Sequence, residues 1–229
     1  MIQFDCVTKT YNSGTESAYE ALKGISFTIK SGTLFGVIGP SGAGKTTIMN
    51  IIGLLDKPST GKYYLDDLDT TTFTGDKLAA LRNRRLGFVF QQYNLLPKFT
   101  ALENVILPLT YRITEPYMHS EMKKRAMAML ERVDMAKYAT HRPLELSGGQ
   151  QQRISIARAL VGGPSLILAD EPTGALDTET TVQIMTLLKE QMSIEGTTVV
   201  IVTHNPDIAA QCHQSIHILD GEIKKTVVV

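Results

Sequence analysis

The octapeptide Gly39-Pro40-Ser41-Gly42-Ala43-Gly44-Lys45-Thr46 constrains this chain more than any other stretch. Before it stands "TLFGVI", a short continuous apolar run of the kind found in strands buried on both faces. It runs on into "KTTIMNIIGLL", whose apolar residues suit a buried helix. Gly39, Gly44, Lys45 and Thr46 fill G-x-x-x-x-G-K-[ST] completely. Glycine at such positions lets backbone N–H groups turn inward around phosphate oxygens, where a Cβ would clash. Lys45 then reaches the outer phosphates, and the Thr46 hydroxyl helps hold Mg²⁺. Strand, phosphate loop and helix in this order predict an α/β core with a mainly parallel sheet.

Parallel α/β sheets place their sites at the carboxyl ends of the strands. Three further strand ends therefore become candidates. "SLILAD" ends in Asp170, a carboxylate suited to anchoring Mg²⁺, and Glu171 follows, turned towards an attacking water. "TTVVIVTH" ends in His204, placed to sense a terminal phosphate. "LGFVF" precedes Gln91, whose amide can orient water or touch Mg²⁺ without adding charge. A helix over about 178–191 separates "SLILAD" from "TTVVIVTH" and fits a parallel crossover.

A second anion-binding corner lies about a hundred residues after the phosphate loop. In "LELSGGQQQRISIARAL", Ser147, Gly148 and Gly149 precede a run with helical spacing, where free N–H groups and the helix dipole converge.

Elsewhere, "MIQFDCVTKTY" alternates Ile2, Phe4 and Cys6, and "GISFTIK" alternates Ile25, Phe27 and Ile29, so both read as strands flanking a turn-rich "NSGTESAYEA". The stretch from Gln91 to Leu144 contains Pro97, Pro108, Pro116 and Pro143 and no convincing strand. Its "SEMKKRAMAMLERVDMAKYA" carries Met122, Ala126, Met129, Leu130 and Val133 on one stripe, an amphipathic helix whose methionines fill a core. "SIHILDGEIKKTVVV" reads as a hairpin around Asp220-Gly221.

Lys plus Arg and Asp plus Glu both number 23, so no basic excess favours nucleic acid. "RNRR" at 82–85 is a short charged turn, too brief for a nucleic-acid patch. Cys6 and Cys212 lie far apart with no CxxC, which suits a reducing compartment. His213 and His217 lack a third ligand and read as edge-strand residues. No apolar run is long enough to cross a bilayer, and the N-terminus lacks a signal-peptide core. The expectation is a cytoplasmic protein whose membrane role comes through a partner.

With these motifs in hand, the chain resembles the ATP-binding cassette (ABC) ATPases over essentially its whole length. Leu146–Gln150 is the LSGGQ signature, paired with "GPSGAGKT" and "LILADE". The resemblance implies the ABC ATPase fold: a P-loop NTPase core with mainly parallel sheet, an N-terminal antiparallel β subdomain and a helical insertion. It implies one domain over 1–229, with 1–90 and 161–229 as core and about 91–160 as the helical part carrying the signature.

By matching motif, Gly39, Pro40, Ser41, Gly42, Ala43, Gly44, Lys45, Thr46 and Thr47 form the phosphate loop for ATP. Thr46, Gln91 and Asp170 serve Mg²⁺, Glu171 is the general base and His204 the switch histidine. Ser147, Gly148, Gly149 and Gln150 meet the ATP of a second copy in a head-to-tail homodimer, with Asp177 of "GALD" at the seam. Tyr11 stacks on adenine. Gln92 adjoins Gln91, but the first of the pair fits "VFQ" better.

"NIIGLLDKPSTG", "GFVFQQYNLLP", "TALENVILPL" and "ADEPTGALD" look most like the macrolide-efflux and lipoprotein-release ATPases (the MacB/LolD type) and a cell-division relative. The implied partner is a separate transmembrane permease, docking on the helical part and holding the protein at the inner face of the cell membrane. The other readings are an ATP-gated cassette of a cell-division or signalling membrane complex, and a soluble cassette acting on DNA or ribosomes. Action on DNA is disfavoured by the short spacing from phosphate loop to signature and the lack of sustained heptads, and action on ribosomes by the single cassette, where such relatives usually carry two. Asn205 stands where the family commonly has Asp, and Gly163 where Asn is frequent; neither removes a catalytic group. No C-terminal regulatory domain is expected.

Overall fold

The computed structural model describes residues 1–112 and 116–228. The chain opens with strands β1 (Ile2–Tyr11), β2 (Tyr19–Ile29) and β3 (Leu34–Ile38), then helix α1 (Lys45–Ile52). Strands β4 (Thr60–Leu65) and β5 (Leu68–Asp69), helix α2 (Gly75–Arg85) and strand β6 (Leu86–Val89) follow. Three helices come next: α3 (Ala101–Thr110), α4 (His119–Arg132) and α5 (Gly148–Leu160). Strand β7 (Leu166–Asp170), helix α6 (Thr178–Glu195), strand β8 (Thr198–Thr203) and short helix α7 (Pro206–Ala209) lead to strands β9 (Gln214–Leu219) and β10 (Glu222–Val228). The chain divides into two compact units, Met1–Ala79 with Gly196–Val229, and Ala80–Glu195.

In the first unit β2, β1, β4 and β5 form an antiparallel sheet in that order. Beside it β3 lies between β8 and β9, parallel to both, and β10 pairs antiparallel with β9. Every residue of β3 and β8 is buried, which is why both read as unbroken apolar runs rather than alternating ones. An aromatic ladder fills the core: Phe4 stacks on Phe27 with centroids 4.6 Å apart, and Phe27 on Phe35 at 5.8 Å. Tyr63 is fully buried beside Phe4, and its hydroxyl donates to the Ile52 carbonyl at 2.9 Å. Burial pushes that phenol far above its ordinary pKa.

The closing hairpin turns at Asp220 (φ 50) and Gly221 (φ 79), two left-handed residues as a tight two-residue turn requires. Val229, the last residue of the stretch read as that hairpin, lies outside the described residues.

In the second unit β6 and β7 pair in parallel, and α3, α4 and α5 pack on one another. Helix α3 starts with a capping box between Thr100 and Glu103. Buried Asn104 accepts from Leu96 N and donates to the carbonyls of Leu96, Phe99 and Thr100, tying down the segment before the helix.

Several local expectations need correction. Cys6 is exposed and Val7 buried in its place. A bulge with Cys6 at φ 47 breaks the alternation, and the close approach of Gly61 to the Cys6 carbonyl shapes it. Strand β2 begins at Tyr19, inside the stretch read as turn. "RNRR" is not a turn but the last turn of α2, where its cations face the helix C-terminal dipole. Helix α4 stops at Arg132, because Asp134 adopts φ 59. Strands β4 and β5 leave little trace in the sequence: "TGKYYLDDLD" is polar enough to hide the pairing of β4 with β1 and of β5 with β4.

Candidate functional site

The phosphate loop hangs between β3 and α1, and the first unit shapes it from behind. A Cβ on Gly39 would lie 2.3 Å from the Ile218 carbonyl oxygen of β9. One on Gly44, at φ 105, would lie 2.8 Å from the Ala21 carbonyl of β2. Both positions therefore demand glycine for space, before any ligand is considered. Gly221 N donates to the Ala43 carbonyl and Lys23 N to the Gly221 carbonyl, so the closing hairpin buttresses the loop.

Gly44 is the N-cap of α1 and no side chain caps it, which leaves the first-turn amides for an anion. Lys45 Nζ donates to the carbonyls of Gly39 at 2.8 Å and Pro40 at 2.9 Å, drawn across the mouth of its own loop. Thr46 is exposed and Thr47 buried at the start of the helix. Uncapped first-turn amides, an ammonium and a hydroxyl fit a polyphosphate. Of the side chains expected to serve Mg²⁺, Thr46 belongs to this unit and Asp170 and Gln91 to the other; a hydroxyl, a carboxylate and an amide oxygen are each hard donors of the kind that ion takes.

Tyr11 closes β1 in the same unit, and its hydroxyl donates to Asp56 Oδ2 at 2.9 Å. Lys9 Nζ pairs with Asp56 Oδ1 at 2.5 Å and lies 4.9 Å from the Tyr11 ring centre. Burial raises the Asp56 pKa, but donation from Lys9, from Lys57 N and from Tyr11 outweighs it, and the net shift is down. Burial raises the Tyr11 phenol as well; Thr47 opposes that and Asp56 adds to it. Tyr11 is thus oriented by partners on both sides of its hydroxyl. His204 follows β8 and is exposed.

The second unit carries the other candidates. Asp170 ends β7 half-buried, and Glu171 follows with φ 45, a left-handed conformation costly for a residue with a Cβ. Gln91 follows β6, and the structure brings it beside Glu171. A Cβ built on Gly174 would lie 3.0 Å from Gln91 Nε2 and 3.5 Å from Glu171 Cβ. Asp177 is exposed and caps the first turn of α6, accepting from Thr180 N at 2.9 Å and Thr180 Oγ1 at 2.8 Å. Those hydrogen bonds from Thr180 hold its carboxyl below the usual carboxylate range.

Ser147 is the N-cap of α5. Its hydroxyl accepts from Gln150 N at 3.3 Å, and Gln150 Oε1 accepts from Ser147 N at 2.8 Å, a complete capping box. The two glycines after it admit close neighbours: a Cβ on Gly148 would lie 2.7 Å from the Tyr93 hydroxyl, and one on Gly149 2.9 Å from Thr180 Cγ2.

Two residues of α5 escaped the sequence reading. Gln152 Nε2 donates to the Pro172 carbonyl at 2.7 Å, directly after Glu171. Arg158 donates to the Asn94 carbonyl at 2.6 Å and the Tyr93 carbonyl at 2.8 Å, just after Gln91. Burial lowers the Arg158 pKa. The available signal for Gln152 was its place four residues before Ile156, on the apolar stripe of the helix.

The ABC transporter family profile matches residues 22–174, two thirds of the chain. The chain belongs to the ABC transporter family. Among its relatives, the ABC transporter ATP-binding protein MJ0796 of Methanocaldococcus jannaschii is 47% identical over 226 residues, covering 98% of this chain and 96% of that one. The macrolide export ATP-binding/permease protein MacB of Brucella abortus is 47% identical over 223 residues, 97% of this chain but 34% of its own length. Among solved structures, a dimeric post-hydrolysis state of the ABC cassette MJ0796 bound to ADP and Pi superposes with a TM-score of 0.91 at 45% identity, covering 100% of this chain and 98% of the other. The ABC ATPase fold expected from the motifs is thereby established, with its antiparallel sheet, mixed sheet and helices. Among the described residues no helix is long and apolar enough to cross a membrane.

Proposed function

We propose that this chain binds and hydrolyses ATP as the nucleotide-binding subunit of an ABC transporter, working as a head-to-tail pair with a second copy of itself. The observation that carries the reading is the contrast between two glycine-rich helix starts. The start of α1 leaves its amides uncapped behind a phosphate loop, whereas at the start of α5 the capping box uses the Ser147 and Gln150 amides and does not involve those of Gly148 and Gly149. The first suits the chain's own nucleotide. The second presents hydroxyl, amides and dipole outward, to an anion brought by a partner. Two-fold symmetry then makes two equivalent sites. The relative solved as a dimer with ADP and Pi supports this arrangement.

In this mechanism Lys45 leaves the Gly39 and Pro40 carbonyls for the β- and γ-phosphates, and loop amides from Gly39 to Thr47 cradle the rest. Mg²⁺, when bound, neutralises charge developing between the phosphates. Thr46, Asp170 and Gln91 are the residues that would hold it. Glu171 takes a proton from the attacking water, His204 reads the γ-phosphate, and Tyr11 stacks on adenine. Ser147, Gly148, Gly149 and Gln150 receive the partner's nucleotide, with Asp177 at the seam. Loss of the γ-phosphate releases the pair, coupling hydrolysis to motion. The segment at about 91–160 passes that motion to a separate membrane permease, which holds the protein at the inner face of the membrane.

The test is the solution mass of Glu171→Gln with and without Mg-ATP. Monomer alone and dimer with ATP, lost again when Lys45 or Ser147 is also replaced, is the expected result. A variant that binds ATP and stays monomeric would remove the self-assembled sandwich.

A further inference from the structure

The apolar face of α5 carries two polar side chains fully excluded from solvent, Gln152 and Ser155. Gln152 Nε2 donates to the Pro172 carbonyl, while its Oε1 meets no donor among the described residues. Methionine would fill the same volume without stranding a buried acceptor, so core packing does not explain an amide here. What the amide reaches does. Pro172 offers no N–H, and Glu171 before it holds φ 45, so the segment is fixed through its carbonyls. The Glu171 carbonyl accepts from Gly174 N at 3.0 Å, and the Pro172 carbonyl takes Gln152. Six residues further along the helix, Arg158 grips the Tyr93 and Asn94 carbonyls in the same way, both residues being left-handed at φ 59 and φ 49. The body of α5 therefore holds the loop after Gln91 and the loop after Glu171, while its N-terminus is the Ser147 cap.

We propose that Gln152 is a positioning residue for Glu171, tying the helix that meets one nucleotide to the base that acts on the other. The inference rests on the reading of Glu171 as the base and of Ser147–Gly149 as the surface for the partner's ATP. A displacement of α5 on closure passes through the Gln152–Pro172 contact to Glu171 of the same chain. Hydrolysis at each site then depends on the engagement of both.

The test is steady-state ATPase kinetics of Gln152→Met, with Ser155→Ala as a control for packing on the same helix face. Gln152→Met should lower kcat by about 10- to 100-fold, the scale of a misplaced catalytic group. Its KM for ATP should stay within about twofold, and E171Q/Q152M should still dimerise with Mg-ATP. Ser155→Ala should keep the parent kcat. If methionine at 152 prevents folding, Gln152→Asn, which retracts the amide by one methylene, is read by the same criteria. A folded variant with the parent kcat overturns the proposal. So does one that loses kcat and ATP-dependent dimerisation together, in step with its thermal stability. E171Q measured alongside separates the two ideas. An E171Q that hydrolyses at the parent rate removes the base assignment itself, whereas an inactive E171Q beside a fully active Q152M removes only the positioning role.

Discussion

Lys45 and Gly39 are bonded across the phosphate loop, ammonium to carbonyl at 2.8 Å. The contact preorganises the loop, and in the proposed mechanism it is exchanged for phosphate contacts when a nucleotide enters. Lys45→Ala should therefore reduce ATP hydrolysis by about 100-fold or more, the scale of losing a charge-stabilising donor. Thermal stability should hardly change, since the lost bonds go to half-exposed carbonyls. Phosphate release from Mg-ATP and a melting curve check both halves.

The loop glycines should separate by cause. Gly39→Ala drives a methyl into the Ile218 carbonyl and should cost about 1–3 kcal/mol of stability, as overpacked positions do. Gly42 has nothing within 4 Å of its missing Cβ but holds φ 79. Gly42→Ala should cost about 1 kcal/mol, through the left-handed backbone alone. Urea unfolding at pH 7 ranks them.

Ser147 caps α5 and, in the proposed sandwich, faces a phosphate. These roles can be split with aspartate, a good N-cap that also favours the helix dipole. Ser147→Ala should lose about 1 kcal/mol. Ser147→Asp should keep the parent stability yet abolish ATP-driven dimerisation in the E171Q background, because a carboxylate repels the γ-phosphate. Light scattering and urea midpoints on the same samples decide it.

Glu171 sits in a left-handed conformation that a side chain resists. Glu171→Gly should leave stability unchanged or raise it by up to about 1 kcal/mol, while removing hydrolysis. A marked loss of stability would mean that the side chain, not the backbone, holds this turn.

Asp56 gives a pH signature. Its folded-state pKa lies below the unfolded value. Its contribution is therefore complete well above the unfolded carboxylate pKa of about 3.9 and is lost as pH falls through the lower folded value. Asp56→Asn should be less stable than the parent by a constant margin above about pH 5, and that margin should narrow below it. Paired urea titrations from pH 7 to 3.5 measure the margin. A gap that widens on acidification would contradict the Lys9–Asp56–Tyr11 network.

What could be read in the sequence was local. The phosphate loop needs only its own glycines and the strand and helix beside it, the Ser147–Gln150 capping box spans four residues, and Asp220-Gly221 declares its turn by composition. What escaped depends on partners far along the chain. Cys6 leaves the buried face because Gly61 approaches from β4, and no window around Cys6 contains that fact. The left-handed turn at Glu171 is gripped at the next residue, where the Pro172 carbonyl accepts from Gln152, twenty residues earlier. Tyr11 could be named for its position, but Asp56 and Lys9, which orient it, reach it only across the folded sheet.

The central place of β3 bears on how the molecule comes into being. The strand that leads into the phosphate loop pairs at Val37 with Val202 on one side and Ile216 on the other. Both neighbours are translated more than 160 residues later. A nascent chain of 190 residues has made the loop, the signature and Glu171, but neither of the strands that flank β3. Until they emerge, "LFGVI" is an apolar segment with two unpaired edges, open to chaperones and to self-association. Assembly of the nucleotide-binding loop is thus governed by late, long-range closure, and the folding rate should be slow for the chain's length.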